Sequence, residues 1–128
     1  MARIRTVKPE FFTSEQVADC SPTARLLFSG MWCFCDDGGV HPASVKRLKM
    51  EVFPADSMNE KQIIGYVDEL IKSELLTEFV GDDGKSYWQV TGWHHQKIEK
   101  PTFRHPQKSS DSPTIRRPFA HGREWKGV

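Results

Sequence analysis

Apolar residues recur at helical spacing from Ala24 to Cys35, a segment that is nearly apolar on all sides. Ser21 is a typical N-cap residue, and Pro22 stands at the first helical position. The segment runs into the sequence Asp-Asp-Gly-Gly at residues 36–39, where turn-forming residues end the pattern. We therefore predict a central core helix of about four turns.

Two further helices are predicted before residue 73. Pro42 and Pro54 bound the first of them, because proline is tolerated at a helix start and breaks a helix interior. The second is predicted from Ser57, whose Ser-x-x-Glu spacing with Glu60 is a capping box. Its apolar stripe consists of Ile63, Ile64, Val67, Leu70 and Ile71.

The period then changes from helical to extended in "LLTEFV" and "SYWQVTGW", which are joined by "GDDGK". Asp83-Gly84 between two β-rich segments is a strong hairpin signal. Alternation places Trp88 and Val90 on the core face of the second strand and Tyr87 and Gln89 on the outer face.

Together these elements predict a fold that is mainly α with a small β-hairpin, of the α+β class. Gly38 to Val40 supply a minimal strand between the first two helices, so the order is helix, short strand, helix, helix and hairpin. This order is the plan of a winged helix-turn-helix domain. We assign that domain to residues 10–93, preceded by a basic N-terminal arm at residues 1–9.

Residues 94–128 read as a basic, Pro-rich tail that is extended or disordered. They contain four of the eight prolines and no apolar period. Residues 21–92 carry 7 Lys or Arg against 11 Asp or Glu, whereas residues 93–128 carry 8 against 3. An acidic body with a basic tail indicates a polyanionic partner.

The sequence gives little reason to expect an enzyme, a cofactor or a metal site. His and Cys do not recur at spacings that let ligands converge on one ion, so we expect core thiols and surface histidines. No catalytic triad or phosphate-binding Gly-rich motif is present. The N-terminus lacks a signal sequence and no apolar run is long enough to cross a membrane, so we expect a cytoplasmic protein with reduced cysteines.

The segments "RIRTVKPEFF", "KRLKMEVFPAD" and "WHHQKIEKP" resemble the N-terminal DNA-binding domain of bacteriophage replication proteins of the replisome-organiser or origin-binding type. The resemblance covers about residues 1–103. It implies binding to double-stranded DNA in replication initiation or its regulation, inside the host bacterial cytoplasm. Replication or host proteins are implied as further partners, and a homodimer is a further alternative.

Basic arms and helix starts supply the predicted DNA contacts, because Lys and Arg neutralise phosphates while polar side chains at helix starts reach base edges. The candidates in the arm, the helices and the hairpin are Arg3, Arg5, Lys8, Lys46, Arg47, Lys49, Asn59, Lys61, Gln62, Tyr66 and Lys85. Those after the second strand are His94, His95, Gln96, Lys97, Lys100 and Arg104.

An alternative is a winged-helix protein-interaction module, for example a phage-encoded inhibitor of a host protein machine. Asp68 and Glu69 are expected on the outer face of the third helix, where they would repel phosphates and suit a protein partner. Salt dependence separates the two functions, because a phosphate-driven complex weakens steeply as salt rises.

Overall fold

The computed structural model of the 128-residue chain describes residues 3–93, 96, 98, 100–109 and 113–114. Within them the chain forms five helices and a three-stranded sheet, which confirms the α+β class predicted from the sequence. The elements are α1 (Glu10–Thr13), α2 (Glu15–Ala18), α3 (Pro22–Trp32), β1 (Val40–Pro42), α4 (Val45–Val52), α5 (Glu60–Lys72), β2 (Leu76–Val80) and β3 (Ser86–Val90).

The central helix α3 begins as predicted and ends earlier than expected. The Ser21 hydroxyl accepts a hydrogen bond from the Ala24 N–H at 3.3 Å, which caps the helix. Helical structure stops at Trp32, and Cys33 to Cys35 form a turn. Helices α1 and α2, with four residues each, were not predicted because one turn is too short to show a period.

Helix α5 begins two residues later than predicted, because its N-cap is Asn59 and not Ser57. Its N-cap is Asn59, whose Oδ1 accepts from the Gln62 N–H at 2.9 Å, while Gln62 Oε1 accepts from the Asn59 N–H at 2.9 Å. The prediction of Ser57 as the N-cap was wrong. Asn59 and Gln62 have the same spacing as Ser57 and Glu60, and they make the same reciprocal bonds. The spacing of residue types alone does not show which of two overlapping capping boxes forms.

The antiparallel sheet has the order β1-β3-β2, so the predicted hairpin places β3 in the centre. Trp88 and Val90 lie in the main core, as predicted, and pack with the helices. Tyr87 is also buried, which differs from the expected solvent-facing position. It forms a second apolar cluster with Val40 and Phe79 on the outer face of the sheet.

Residues 100–109, which we call the C-terminal segment, lie over that outer face. The His105 ring centroid is 5.7 Å from that of Tyr87. Pro106 packs so closely on Gly81 that a Cβ atom there would come within 2.9 Å of it. Further along, the Val80 N–H donates to the Pro113 carbonyl at 3.0 Å. The described part of the predicted tail is therefore extended and attached to the domain.

The main core lies between the inner face of the sheet and the helices. Leu27 and Met31 of α3 and Ile63, Val67 and Leu70 of α5 are completely buried. None of the helices in the described part of the chain has the length and apolar character that a membrane crossing requires.

Candidate nucleic-acid interface

The predicted N-terminal arm is fixed on the domain at Arg5, whose side chain is 4% exposed. Its guanidinium donates to Asp37 Oδ1 at 3.1 Å and to the carbonyls of Trp32 and Cys35, both at 2.9 Å. It also lies 4.9 Å from the centroid of the Trp93 ring, a cation–π contact. The prediction of Arg5 as a mobile DNA contact is corrected, because these contacts bury its charge.

A second attachment joins the arm to the sequence after β3. The Thr6 N–H donates to Gln96 Oε1 at 3.0 Å, and Gln96 Nε2 donates to the Thr6 carbonyl at 2.7 Å. Gln96 is 8% exposed, so its prediction as a DNA contact is also corrected. Arg3 pairs with Asp37 but keeps half of its side chain exposed, and Lys8 is exposed.

Asp36 and Asp37 bind both ends of the described chain, and we call this pair the acidic clasp. Asp36 Oδ1 accepts from the Val40 N–H and Oδ2 from the His105 N–H, both at 3.1 Å. Asp37 Oδ2 accepts from the Thr102 N–H at 2.8 Å. The sequence indicated a turn at this pair. The sequence signal for their binding of the two terminal segments was a pair of adjacent carboxylates after an apolar helix. Basic segments lie before and after this pair in the sequence.

The Asp37 carboxyl is held in its charged form. Burial would raise its pKa, but the hydrogen bonds from Thr102 and Arg5 and the charges of Arg3 and Arg5 outweigh burial and lower the pKa below the ordinary value. Asp37 is therefore a charged group inside the domain, and the two arginines compensate it.

The two acidic residues of α5 do not form the expected acidic outer face. Asp68 is 2% exposed. Glu69 accepts from the Ser21 N–H at 2.7 Å and from the Ser21 hydroxyl at 3.0 Å. Because the first N–H groups of a helix lack partners within it, a carboxylate next to the start of α3 is favourable. Neither carboxylate is therefore fully exposed on the outer face of α5.

Helix α4 presents basic side chains beside an open cleft. Lys46 and Arg47 are exposed, and Lys49 is half-buried. Arg47 Nε donates to Glu51 Oε2 at 3.2 Å. The cleft has a volume of about 400 Å³ and is lined by Ser44, Lys46, Arg47, Met50 and Glu51.

The charges of Arg47 and Arg104 both act on His105. Burial lowers the pKa of His105, and although Asp36 acts in the opposite direction, the charges of Arg104 and Arg47 lower the pKa further. Arg104 and Arg3 also line one cleft of about 290 Å³ next to the acidic clasp. We call Arg3, Lys46, Arg47 and Arg104 the basic surface.

The remaining predicted contacts lie outside this surface or outside the described residues. Gln62 and Tyr66 line another cleft, of about 460 Å³, at the start of α5. Asn59 and Gln62 use side-chain oxygens for the helix cap, and Tyr66 packs against the core. Lys61 and Lys100 are exposed. His94, His95 and Lys97 are among the residues that the structure leaves undescribed.

Lys85 lies in an acidic setting at the turn between β2 and β3. Its N–H donates to Asp83 Oδ1 at 3.0 Å, and the Tyr87 hydroxyl donates to Asp83 Oδ2 at 2.5 Å. The Asp83 bond, assisted by burial, raises the pKa of Tyr87 to about 12. Asp82 is exposed beside them, so the turn carries more negative than positive charge.

Across the described residues, His, Cys, Asp and Glu side chains do not gather in threes as metal ligands. Cys20, Cys33 and Cys35 are free thiols, and burial raises the pKa of Cys35. Comparisons with protein-family models, with curated proteins and with solved structures gave no significant match to this chain.

Proposed function

We propose that this chain is a double-stranded DNA-binding protein of the winged helix-turn-helix type and that the basic surface contacts the phosphate backbone. The observation that carries the proposal is that exposed basic side chains line two open clefts, Lys46 and Arg47 the one on α4 and Arg3 and Arg104 the one next to the acidic clasp. Guanidinium groups bind phosphate with two parallel N–H donors, and clustered cations release counterions when they meet DNA.

The order of the elements supports the fold assignment. In a winged helix-turn-helix reading, α4 and α5 form the helix pair and β2–β3 forms the wing. The wing turn carries Asp82 and Asp83, which repel phosphates. The proposed contacts therefore come from α4 and the C-terminal segment, and the wing turn faces away from the DNA backbone.

A role in phage replication rests on the sequence resemblance. The two most specific segments, "RIRTVKPEFF" and "WHHQKIEKP", contact each other through Arg5 with Trp93 and Thr6 with Gln96. These contacts explain, in structural terms, why Arg5, Thr6, Trp93 and Gln96 stand at their positions. We propose replication initiation or its regulation as the setting, with replication or host proteins as further partners.

Fluorescence anisotropy of a labelled duplex, measured over a salt series, tests the proposal. We expect the affinity of the full chain to fall steeply with salt. Arg47→Ala and Arg104→Ala should each reduce the slope of log affinity against log salt by about one unit. Lys85→Ala is the matched control, because it removes an exposed cation from an acidic turn, and it should leave the slope unchanged.

A protein-interaction module is the second candidate, and exposed apolar side chains favour it. Ile4 is 97% exposed and Phe12 is 71% exposed, although both lie in a segment that is attached to the domain. Duplex binding that is absent or insensitive to salt would contradict the DNA proposal. Ile4→Ser and Phe12→Ser should leave duplex affinity unchanged if DNA is the partner.

A further inference from the structure

His41 on β1 is completely buried and contacts acceptors through both ring nitrogens. Nε2 lies 2.6 Å from Glu51 Oε1, and Nδ1 lies 2.7 Å from the Pro42 carbonyl oxygen. The ring stacks on Trp88 with centroids 5.8 Å apart and planes 14° from parallel. The sheet therefore holds this imidazole in one orientation, directed at α4.

The protonation state of Glu51 determines the direction of the hydrogen bond between His41 Nε2 and Glu51 Oε1. Burial would raise the pKa of Glu51, but the hydrogen bonds and charges of His41 and Arg47 outweigh burial and lower the pKa. An ionised carboxylate only accepts, so Nε2 of His41 donates to it. The other carboxylate oxygen accepts from Arg47 Nε at 3.2 Å.

The hydrogen bond from Arg47 to Glu51 reaches the basic surface. The Arg47 side chain is 49% exposed, so without a partner it would sample many rotamers. The contact with Glu51 uses Nε, one of five N–H donors of the guanidinium. The two terminal Nη groups carry the other four donors, which can bind a phosphate in pairs.

We propose that His41 is a positioning residue that acts through Glu51 to orient Arg47 for a DNA phosphate. This role rests on the proposed function. A buried ring on the sheet fixes the carboxylate, and the carboxylate fixes an exposed guanidinium on α4. DNA then meets a preorganised cation, which reduces the entropy lost on binding.

A double-mutant cycle tests the role. His41→Phe keeps a ring against Trp88 and removes both nitrogens, and His41→Gln restores a side-chain donor. We expect His41→Phe to weaken duplex binding about threefold to fivefold, the size of a partly exposed ion pair. In an Arg47→Ala background the same change should alter affinity by less than about 1.5-fold, because the group on which it acts is gone.

Lys49→Ala is the matched background, since it removes a cation of the same helix that does not contact Glu51. There the full effect of His41→Phe should persist, and His41→Gln should recover most of the affinity. A general loss of stability would weaken binding equally in all backgrounds and would contradict the positioning role. If His41→Phe does not fold, Glu51→Asp, which keeps the charge and shortens the reach, replaces it in the same cycle.

The two proposals fail differently. Additive effects of His41→Phe and Arg47→Ala, in a parent chain that binds duplex DNA with a steep salt dependence, overturn the positioning role and leave the proposed function intact. A parent chain that does not bind duplex DNA overturns both.

Discussion

The carboxylate of Asp37 makes two ion pairs and accepts a backbone hydrogen bond. This carboxylate is 1% exposed and pairs with Arg3 and Arg5, and it also accepts from the Thr102 N–H. Arg5 is itself buried, so its charge depends on Asp37 for compensation. Removing one partner of a buried pair leaves the other charge without compensation, which is strongly destabilising.

We predict that Asp37→Asn lowers the free energy of unfolding by about 3 kcal/mol. The change keeps the side-chain shape and removes the charge that compensates Arg5. Urea titration followed by circular dichroism measures the effect. Asp82→Asn, on an exposed turn, is the control and should change stability by less than about 0.5 kcal/mol. Similar effects of the two changes would show that the acidic clasp does not stabilise the fold.

Stability should also fall in acid. Asp37 and Glu51 both have a lowered pKa in the folded protein, despite burial. The unfolded chain therefore binds more protons at acidic pH, so the stabilisation is complete above the ordinary carboxyl pKa of about 4 and is lost as pH falls below it. Thermal melts from pH 6 to pH 3 measure the loss. Asp37→Asn should show a flatter acid limb than the parent, and an unchanged limb would contradict this assignment.

At the scale of elements, the start of α5 separates two overlapping caps. Asn59 forms the reciprocal box with Gln62, whereas the side chain of Ser57 does not cap the helix. We predict that Asn59→Ala costs about 1 kcal/mol and that Ser57→Ala changes stability by less than about 0.3 kcal/mol. Chemical denaturation of the two variants is sufficient. A larger loss from Ser57→Ala would mean that Ser57 is the N-cap and that the helix starts two residues earlier.

The turn between α3 and β1 depends on Gly39. Its φ is +80°, and an added Cβ would lie 2.6 Å from the Trp93 ring. Gly84 has a φ of +81° with open space around it, so it is a matched control for backbone strain alone. We predict a loss of about 1 kcal/mol for Gly84→Ala, from strain alone. Gly39→Ala should lose at least about 2 kcal/mol, because the Trp93 ring must also move. Equal losses in thermal melts would contradict the close packing on Trp93.

At the scale of the whole molecule, local signals predicted the three longer helices and the hairpin, whereas the long-range pairing was missed. The Ser21 cap and the Asp83-Gly84 hairpin depend on neighbours in sequence, so their patterns are visible there. The contacts of Thr6 with Gln96 and of Asp36 with His105 join distant segments, and residue type alone does not specify such partners. Burial also depends on tertiary packing, and this is why the sequence alone led to the interpretation of Arg5 as a DNA contact.

The C-terminal segment should contribute to stability. A chain that ends at Trp93 loses the contacts of residues 100–109 and exposes the cluster of Val40, Phe79 and Tyr87. We predict a loss of at least about 2 kcal/mol with most helical content retained, since burying one such side chain stabilises by about 1.5–3 kcal/mol. A chain that ends at Thr114 keeps the described contacts and should be more stable than the chain that ends at Trp93, by about that amount. Equal stability of both shortened chains would show that the segment does not cover the sheet.

The location of the DNA interface is the central claim, and amide chemical-shift mapping tests it most directly. Titration of the ¹⁵N-labelled full chain with a short duplex at low salt should shift resonances of α4 and of residues 100–108. Resonances of the turn containing Asp82 and Asp83 should stay unchanged. Shifts confined to the start of α5 and the β2–β3 turn, or no shifts at all, would contradict the claim that α4 and the C-terminal segment together form the DNA-binding surface.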